Sequence, residues 1–197
     1  MMEGPRQNWI LTLREHLASP PPRRLPPSEL RQASVLLPLY VEAGELWTVL
    51  TKRTDTLPSH RSQIAFPGGG RELKENPWAA ALREAEEEIG LDPRVVLKLG
   101  ELDEVESPAG FRVIPCVGAI PNPYKVEPNE AEIAEVFNLP LTAFANPRLV
   151  EEREVVINGM KRNLLIYHIG GRQIWGLTAR ILQNLLVRVG VESEEAN

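Results

Sequence analysis

The stretch that most constrains this 197-residue chain is GGGRELKENPWAAALREAEEEIGL, residues 68–91. Its second half predicts a helix over Pro77 to Ile89. Pro77 suits a first helical turn, Asn76 can cap the start of the helix, and Gly90 can end it. The glycines at its beginning predict a tight turn without side chains, whose backbone amides can approach a substrate oxygen. The fold must therefore place a short capped helix beside a glycine turn.

Glutamates on this helix share nearly one face. Glu84 and Glu88 are four residues apart and Glu84 and Glu87 are three apart, which is about one helical turn. Like charges at this spacing destabilise an isolated helix, and a bound divalent cation removes that penalty. Carboxylate oxygens are the ligands that Mg²⁺ and Mn²⁺ prefer. The alternative is a solvated acidic face, the usual role of an acidic run, and Glu86 is expected to lie on such a flank.

The rest of the chain predicts a mixed α and β fold rich in antiparallel hairpins. Predicted strands cover 33–41, 46–51, 95–106, 111–120, 132–137, 154–157 and 164–169, and predicted helices cover 8–17, 141–145 and 176–189. Few segments alternate strand, helix and strand as a parallel sheet requires. We divide the chain into an N-terminal helix with a proline-rich arm (1–32), a main domain (33–190) and an acidic tail (191–197).

Composition excludes several classes of protein. The formal net charge of -5 provides no basic field for DNA or RNA. The single cysteine, Cys116, cannot form an intrachain disulfide and is expected to be a small buried residue. No run approaches the roughly 18 apolar residues of a membrane span, and the N-terminus lacks the apolar region of a signal peptide. We therefore expect a cytoplasmic protein with a small-molecule substrate and no nucleic-acid or membrane partner.

Residues 69–91 taken together resemble the Nudix box. The fixed positions of that motif are filled by Gly69, Glu75, Arg83, Glu84, Ala85, Glu87, Glu88, Gly90 and Leu91. The resemblance implies a hydrolase of nucleoside diphosphates linked to another group, built as an α/β/α sandwich around a mixed sheet. It implies that Glu84, Glu87 and Glu88 ligate Mg²⁺ or Mn²⁺. Either Glu87 or a glutamate outside the box would activate the attacking water, while Arg83 and Glu75 would form an orienting salt bridge.

The segment before the box is similar to the coenzyme A pyrophosphatase branch of this family. Its matching residues are Leu50, Thr51, Arg53, Leu57, His60, Gln63, Phe66, Pro67, Gly68 and Gly69. Thr54 and Ser62 depart mildly from the pattern, and residues 129–141 and 174–179 resemble later segments of the branch. The resemblance implies metal-dependent hydrolysis of coenzyme A to 3′,5′-ADP and 4′-phosphopantetheine. Whether thioester or disulfide forms are preferred stays open.

The expected substrate-binding residues come from the same upstream segment: Arg53, His60, Gln63, Gly68 and Gly69. We expect Arg53, His60 and Arg61 to lie in one polar loop that meets the extra 3′-phosphate of coenzyme A. The alternative is an exposed loop whose basic residues pair with Asp55.

A further catalytic glutamate is expected outside the box, as the family resemblance implies. Glu130, Glu132 and Glu135 all qualify by their chemistry, and their order along the chain does not rank them. We choose Glu132.

Other functions stay open at this point. A Nudix enzyme could act instead on ADP-ribose, NADH or a dinucleoside polyphosphate. A sanitising enzyme for oxidised nucleotides is disfavoured by the upstream segment. A catalytically silent nucleotide sensor is disfavoured because a binder has no need of a full set of metal-ligating glutamates. The family resemblance also makes a homodimer plausible.

Overall fold

A computed structural model describes residues 6–55, 62–157 and 160–191 of the chain. Its helices are α1 (Arg6–Ala18), α2 (Pro77–Ile89), α3 (Leu141–Ala145) and α4 (Gly176–Val189). Its strands are β1 (Arg31–Glu42), β2 (Glu45–Arg53), β3 (Ile64–Ala65), β4 (Gly68–Gly70), β5 (Leu97–Glu101), β6 (Val105–Ser107), β7 (Phe111–Ala119), β8 (Ile133–Pro140), β9 (Val150–Ile157), β10 (Met160–Ile169) and β11 (Arg172–Trp175). Single 3₁₀ turns lie at Pro93–Val95 and Pro147–Leu149.

A mixed sheet forms the centre of the described structure. Its strands run in the order β3-β2-β1-β7-β5, while β4 pairs with β1, β6 with β7, and β8 with β2. Strands β1 and β7 are parallel, from Arg31 opposite Phe111 to Leu39 opposite Ala119. The other ladders of this sheet are antiparallel. The scarcity of parallel pairs agrees with the expectation from sequence.

Helices cover both faces of the mixed sheet, because successive residues of a strand point to opposite sides. On β1, Leu37 and Leu39 pack in an apolar cluster with α1, α3 and α4. Leu36 and Tyr40 pack instead with the residues of α2 on the other face. The predicted α/β/α sandwich is therefore confirmed.

Helix α2 has the predicted bounds and the predicted caps. The Asn76 side chain accepts a hydrogen bond from the amide of Ala79, and Gly90 takes the left-handed conformation with φ of 65°. The buried row on this helix is Ala81, Ala85 and Ile89, four residues apart. Ala79 is exposed because it lies off that row.

The glycine run is a strand and not the tight turn that we predicted. Gly68, Gly69 and Gly70 pair antiparallel with residues 33–35 of β1. The reason is close approach: a Cβ added to Gly68 would lie 2.4 Å from the Ser34 carbonyl oxygen. Glycine is needed here so that this short strand can lie against β1 and α2.

A second, three-stranded antiparallel sheet has the order β11-β10-β9. Strands β9 and β10, which include the predicted strands 154–157 and 164–169, pair antiparallel as a hairpin, and the residues between them, 158–159, lie outside the described ranges. Strand β11 was not predicted. It follows β10 through Gly170 and Gly171, with φ of 57° and 74°, a two-glycine turn that suits a tight hairpin.

The N-terminal segment contacts the main domain through apolar packing and through hydrogen bonds to two carboxylates. Leu13 and Leu17 of α1 are buried in the core. The arm that follows crosses the segment between β5 and β6. There, Asp103 accepts hydrogen bonds from the Arg23 amide at 2.9 Å and from Arg188 Nη2 at 2.5 Å. Glu104 accepts from the Leu25 amide at 2.7 Å.

Other sequence expectations concern burial. Cys116 is fully buried, as predicted, and burial raises the pKa of its thiol. Phe66 is likewise part of the core. Among the helices of the described ranges, none combines the length and the apolar character that crossing a membrane requires.

We expect Asp103→Asn to lower the free energy of unfolding at neutral pH by about 1.5–3 kcal/mol, the range for hydrogen bonds to charged groups. Partial burial raises the pKa of Asp103, but the Arg23 amide and Arg188 outweigh this effect and the net pKa is lowered. Because the folded pKa lies below the unfolded one, this stabilisation is complete above the unfolded pKa and is lost as the pH falls through the folded pKa.

Urea unfolding of both proteins from pH 7 down to about pH 3 measures this difference. The exposed Glu86→Gln substitution is the control and should change stability little. A deficit in Asp103→Asn that persists undiminished at the acid end would contradict the ionic role of Asp103.

Candidate metal and substrate site

Glu88 is the buried carboxylate at the centre of the candidate site. It lies on the last turn of α2, and its side chain is only 5% exposed. One of its oxygens accepts a hydrogen bond from the Gly68 amide at 3.0 Å, and the other lies 3.0 Å from Arg53 Nη1. A buried charge is tolerable only with such partners, so the position of Glu88 depends on β4 and on the end of β2.

Burial, with a smaller contribution from neighbouring carboxylates, raises the pKa values of two glutamates in this site. Burial raises the pKa of Glu88 to about 7, against the lowering effects of the Gly68 amide and Arg53, and the charges of Glu84 and Glu132 raise it further. Burial is also the main cause that raises the pKa of Glu84, and Arg83 opposes it. Carboxyl groups perturbed in this way are typical of functional sites.

Arg83 joins the loop before α2 to two predicted metal ligands. Its Nε lies 3.0 Å from Glu75 Oε1, so the predicted orienting salt bridge is present. Its Nη1 lies 2.9 Å from Glu84 Oε1 and 3.1 Å from Glu87 Oε2. Its Nη2 donates to the Gly70 carbonyl oxygen at 3.0 Å. The hydrogen bond from Arg83 is the main cause that lowers the pKa of Glu75.

Gly69 lies directly against the carboxylate of Glu84. A Cβ at this position would lie 2.5 Å from Glu84 Cδ and Oε2, whereas a Cβ at the neighbouring Gly70 would meet nothing within 4 Å. Of these two neighbours only Gly69 must be glycine, because the Glu84 carboxylate occupies the space where its side chain would be.

Arg53 differs from its predicted position. It is the last residue of β2 and not part of a polar loop, and it does not pair with Asp55 in the described structure. Its Nη2 lies 3.5 Å from Glu132 Oε2, so its guanidinium bridges Glu132 and Glu88. Asp55 instead accepts a hydrogen bond from Ser62. Strand pairing of β2 with β8 brings these groups together, a contact that residue spacing does not reveal.

The structure also distinguishes, by position, the three glutamates that the sequence offered as the further catalytic residue. Glu132 lies beside Arg53, and its charge contributes to the raised pKa values of both Glu84 and Glu88. Glu135 pairs with Arg172 of the small sheet, and Glu130 is exposed. Glu132 is therefore the one of the three that adjoins the box glutamates.

The remaining predicted substrate-binding residues have different outcomes. The Gln63 carbonyl oxygen accepts a hydrogen bond from the Arg53 amide at 3.0 Å, which places Gln63 at the edge of the site. The Gly68 amide, which we expected to face a substrate oxygen, instead donates its hydrogen bond to Glu88. His60 and Arg61 lie outside the described residues.

Two arginines lie between the carboxylates. Arg83 binds Glu84 and Glu87, and Arg53 binds Glu88 and Glu132. Within the described ranges, no three His, Cys, Asp or Glu side chains converge closely enough to hold a metal ion. The donor set nevertheless fits a hard cation, because every group is a carboxylate and the Glu84 carboxylate lies against Gly69, which has no side chain.

Comparison with known proteins identifies relatives over most of the chain. The family model described as NUDIX domain matches residues 30–158. An uncharacterized Nudix hydrolase NudL from Photorhabdus laumondii is 38% identical over 173 residues, covering 87% of this chain and 91% of that protein. Its counterpart from Cronobacter sakazakii is 37% identical over 161 residues, covering 81% and 83%.

The solved structures that resemble this chain include a MutT/nudix family protein from Enterococcus faecalis. The TM-score is 0.54 at 16% identity, and the match covers 99% of this chain and 78% of that one. At this identity the likeness concerns the fold alone.

We expect Gly69→Ala to weaken Mn²⁺ binding by about tenfold or more, because the new Cβ displaces the Glu84 carboxylate; misplaced metal ligands typically cost such factors. Titration of Mn²⁺ followed by electron paramagnetic resonance measures the affinity. Gly70→Ala is the matched control, since its Cβ meets nothing within 4 Å, and it should bind Mn²⁺ as the wild type does. If the two variants bind Mn²⁺ with equal affinity, Glu84 is not a ligand of the metal.

A second prediction concerns how the stability of the fold depends on pH in metal-free buffer containing EDTA. The folded pKa of Glu88 is about 7, above the ordinary value of 4.5. Between these values the folded state holds the proton and the unfolded state releases it, so wild-type stability falls as the pH rises through this window. Glu88→Gln lacks this titration. Its stability relative to wild type should therefore rise across the window by about 3 kcal/mol, at 1.36 kcal/mol per pKa unit.

Urea unfolding of wild type and Glu88→Gln at several pH values tests this expectation, with the exposed Glu86→Gln as control. A stability difference that stays constant with pH would mean that Glu88 does not titrate in this window.

Proposed function

Because this chain belongs to the Nudix family of hydrolases and is a pyrophosphatase of nucleoside diphosphate derivatives, we propose that its substrate is coenzyme A. Hydrolysis of the diphosphate bond would release 3′,5′-ADP and 4′-phosphopantetheine. One observation carries the proposal: two residues of the coenzyme A-type segment, Arg53 and Gly68, contact the buried box residue Glu88 directly. The segment that distinguishes the branch thus forms part of the same site as the box.

Glu84, Glu87 and Glu88 are the proposed ligands of Mg²⁺ or Mn²⁺. Their position supports this role, since Glu84 and Glu88 are packed against the side-chain-free strand β4 while Glu87, with 58% of its side chain exposed, faces outward. When bound, such an ion lowers the pKa of the attacking water and neutralises charge on the phosphate oxygens.

Glu87 and Glu132 are the proposed catalytic bases. Water attacks one phosphorus of the diphosphate, the bond from that phosphorus to the bridging oxygen breaks, and a glutamate takes the proton of the water. The Glu132 side chain is 43% exposed and adjoins Glu88 through Arg53, so it can reach both solvent and the site. Arg53, once released from the carboxylates, offers a planar guanidinium suited to two phosphate oxygens.

Other sequence predictions are carried forward as proposals. We propose a homodimer, from the family resemblance alone. We propose a cytoplasmic location, since a single buried cysteine, Cys116, needs no oxidising compartment. The division of the chain at residues 33 and 190 is likewise proposed.

Mass spectrometry of the products formed from coenzyme A in ¹⁸O-labelled water tests the proposed reaction. We expect 3′,5′-ADP and 4′-phosphopantetheine, with one ¹⁸O atom in the product whose phosphorus was attacked. A parallel turnover panel includes ADP-ribose, NADH and a dinucleoside polyphosphate. A clear preference for one of these would overturn coenzyme A as the substrate, and binding of a diphosphate without any hydrolysis would indicate a sensor.

We expect Glu88→Gln to lower kcat for coenzyme A with Mg²⁺ by about 100-fold or more, because metal sites contribute several kcal/mol of transition-state stabilisation. The fold should persist, since the glutamine oxygen can still accept the Gly68 hydrogen bond. Glu86→Gln, on the exposed flank of the same helix, should retain wild-type turnover. Near wild-type activity in Glu88→Gln would show that Glu88 is not part of the catalytic site.

A further inference from the structure

An open cavity of about 630 Å³ lies beside the loop that precedes α2. Its walls come from the start of β1, from the loop after β4 and from the start of β7, and they include Arg31, Gln32, Gly70, Arg71, Lys74 and Phe111. This volume is within the range of small-molecule sites, about 300–1,000 Å³. No role has been assigned to the cavity so far.

The cavity shares its loop with the glutamate site. The Gly70 carbonyl oxygen accepts a hydrogen bond from Arg83 Nη2 at 3.0 Å, and Glu75 binds Arg83 Nε at 3.0 Å. The same Arg83 contacts Glu84 and Glu87. Arg83 therefore connects the loop that lines the cavity to two glutamates of the candidate site.

Positive charge predominates in the lining. Arg31, Arg71 and Lys74 contribute three cations, against the carboxylates of Glu72 and Glu75. Glu75 is already neutralised by Arg83. Arg71 is held by the Glu75 carbonyl oxygen through its Nε at 3.0 Å and its Nη2 at 2.5 Å. Arg31 and Lys74, whose residues are exposed, are therefore the cations best placed to meet an anionic group of a ligand.

A flat stacking surface lies in the same cavity. The Arg31 guanidinium carbon lies 4.0 Å from the centroid of the Phe111 ring. Nucleic-acid bases stack on aromatic rings and on guanidinium planes. A base and a phosphate are thus both matched by groups within one cavity, which is the chemistry of a phosphorylated nucleoside.

We propose that this cavity binds the adenosine 3′-phosphate end of the substrate, with adenine on the Arg31–Phe111 surface and the 3′-phosphate at Lys74. This inference rests on the proposed function, and it replaces the assignment of that phosphate to a polar loop containing Arg53. Arg53 is engaged by Glu88 and Glu132, which places it at the diphosphate and not at the nucleoside end.

The test compares coenzyme A with dephospho-coenzyme A, which lacks only the 3′-phosphate. Wild type should prefer coenzyme A by about tenfold in kcat/KM, the effect of one charge-assisted hydrogen bond. In Lys74→Gln this ratio should fall toward one. Arg31→Gln should raise KM for both substrates, since it removes part of the stacking surface. The control Arg94→Gln removes an exposed cation outside the cavity and should retain the wild-type ratio.

A binding experiment separates failure of this inference from failure of the proposed function. Calorimetry in EDTA compares 3′,5′-ADP with 5′-AMP, and wild type should bind 3′,5′-ADP more tightly while Lys74→Gln should not. If coenzyme A is not hydrolysed but this difference is found, the proposed substrate is wrong and the cavity assignment holds. If coenzyme A is hydrolysed but Lys74→Gln keeps both the wild-type substrate ratio and the binding difference, the cavity assignment is overturned.

Discussion

The burial of one carboxylate, that of Glu88, organises the site. A buried charge requires partners, and Glu88 has two: the Gly68 amide and the Arg53 guanidinium. The amide is available because β4 is made of glycines that lie close to β1, and Arg53 is in place because β2 ends beside β8. The Glu88 side chain therefore connects helix α2 to strands β2 and β4.

The two arginines act as internal counter-ions for the glutamates. Arg83 binds Glu84 and Glu87, and Arg53 binds Glu88 and Glu132. This pairing offsets the repulsion of carboxylates on one helix face, which a divalent cation would otherwise have to remove. We therefore expect metal binding to displace at least one guanidinium from these carboxylates. A released guanidinium is then available to the phosphates.

Local signals predicted the parts of the structure that depend on neighbouring residues. Helix α2, its Asn76 cap and the shared face of Glu84 and Glu88 follow from propensity and spacing, as does the hairpin of β9 and β10. Other features depend on pairing between distant segments. The glycine run is a strand because it packs on β1, and the partners of Arg53 follow from the register of β2 and β8, which no local pattern encodes. The cavity at Arg31 and Phe111 likewise requires the parallel pairing of β1 with β7.

We infer that a divalent cation replaces an arginine among these carboxylates. Anomalous diffraction from crystals grown with Mn²⁺ tests it most directly, because it locates the ion and the side chains together. We expect a Mn²⁺ peak coordinated by Glu84 and Glu88, with the Arg53 guanidinium withdrawn from its present distance of 3.0 Å from Glu88. A fully occupied Mn²⁺ site elsewhere, with Arg53 still bound to Glu88, would contradict it.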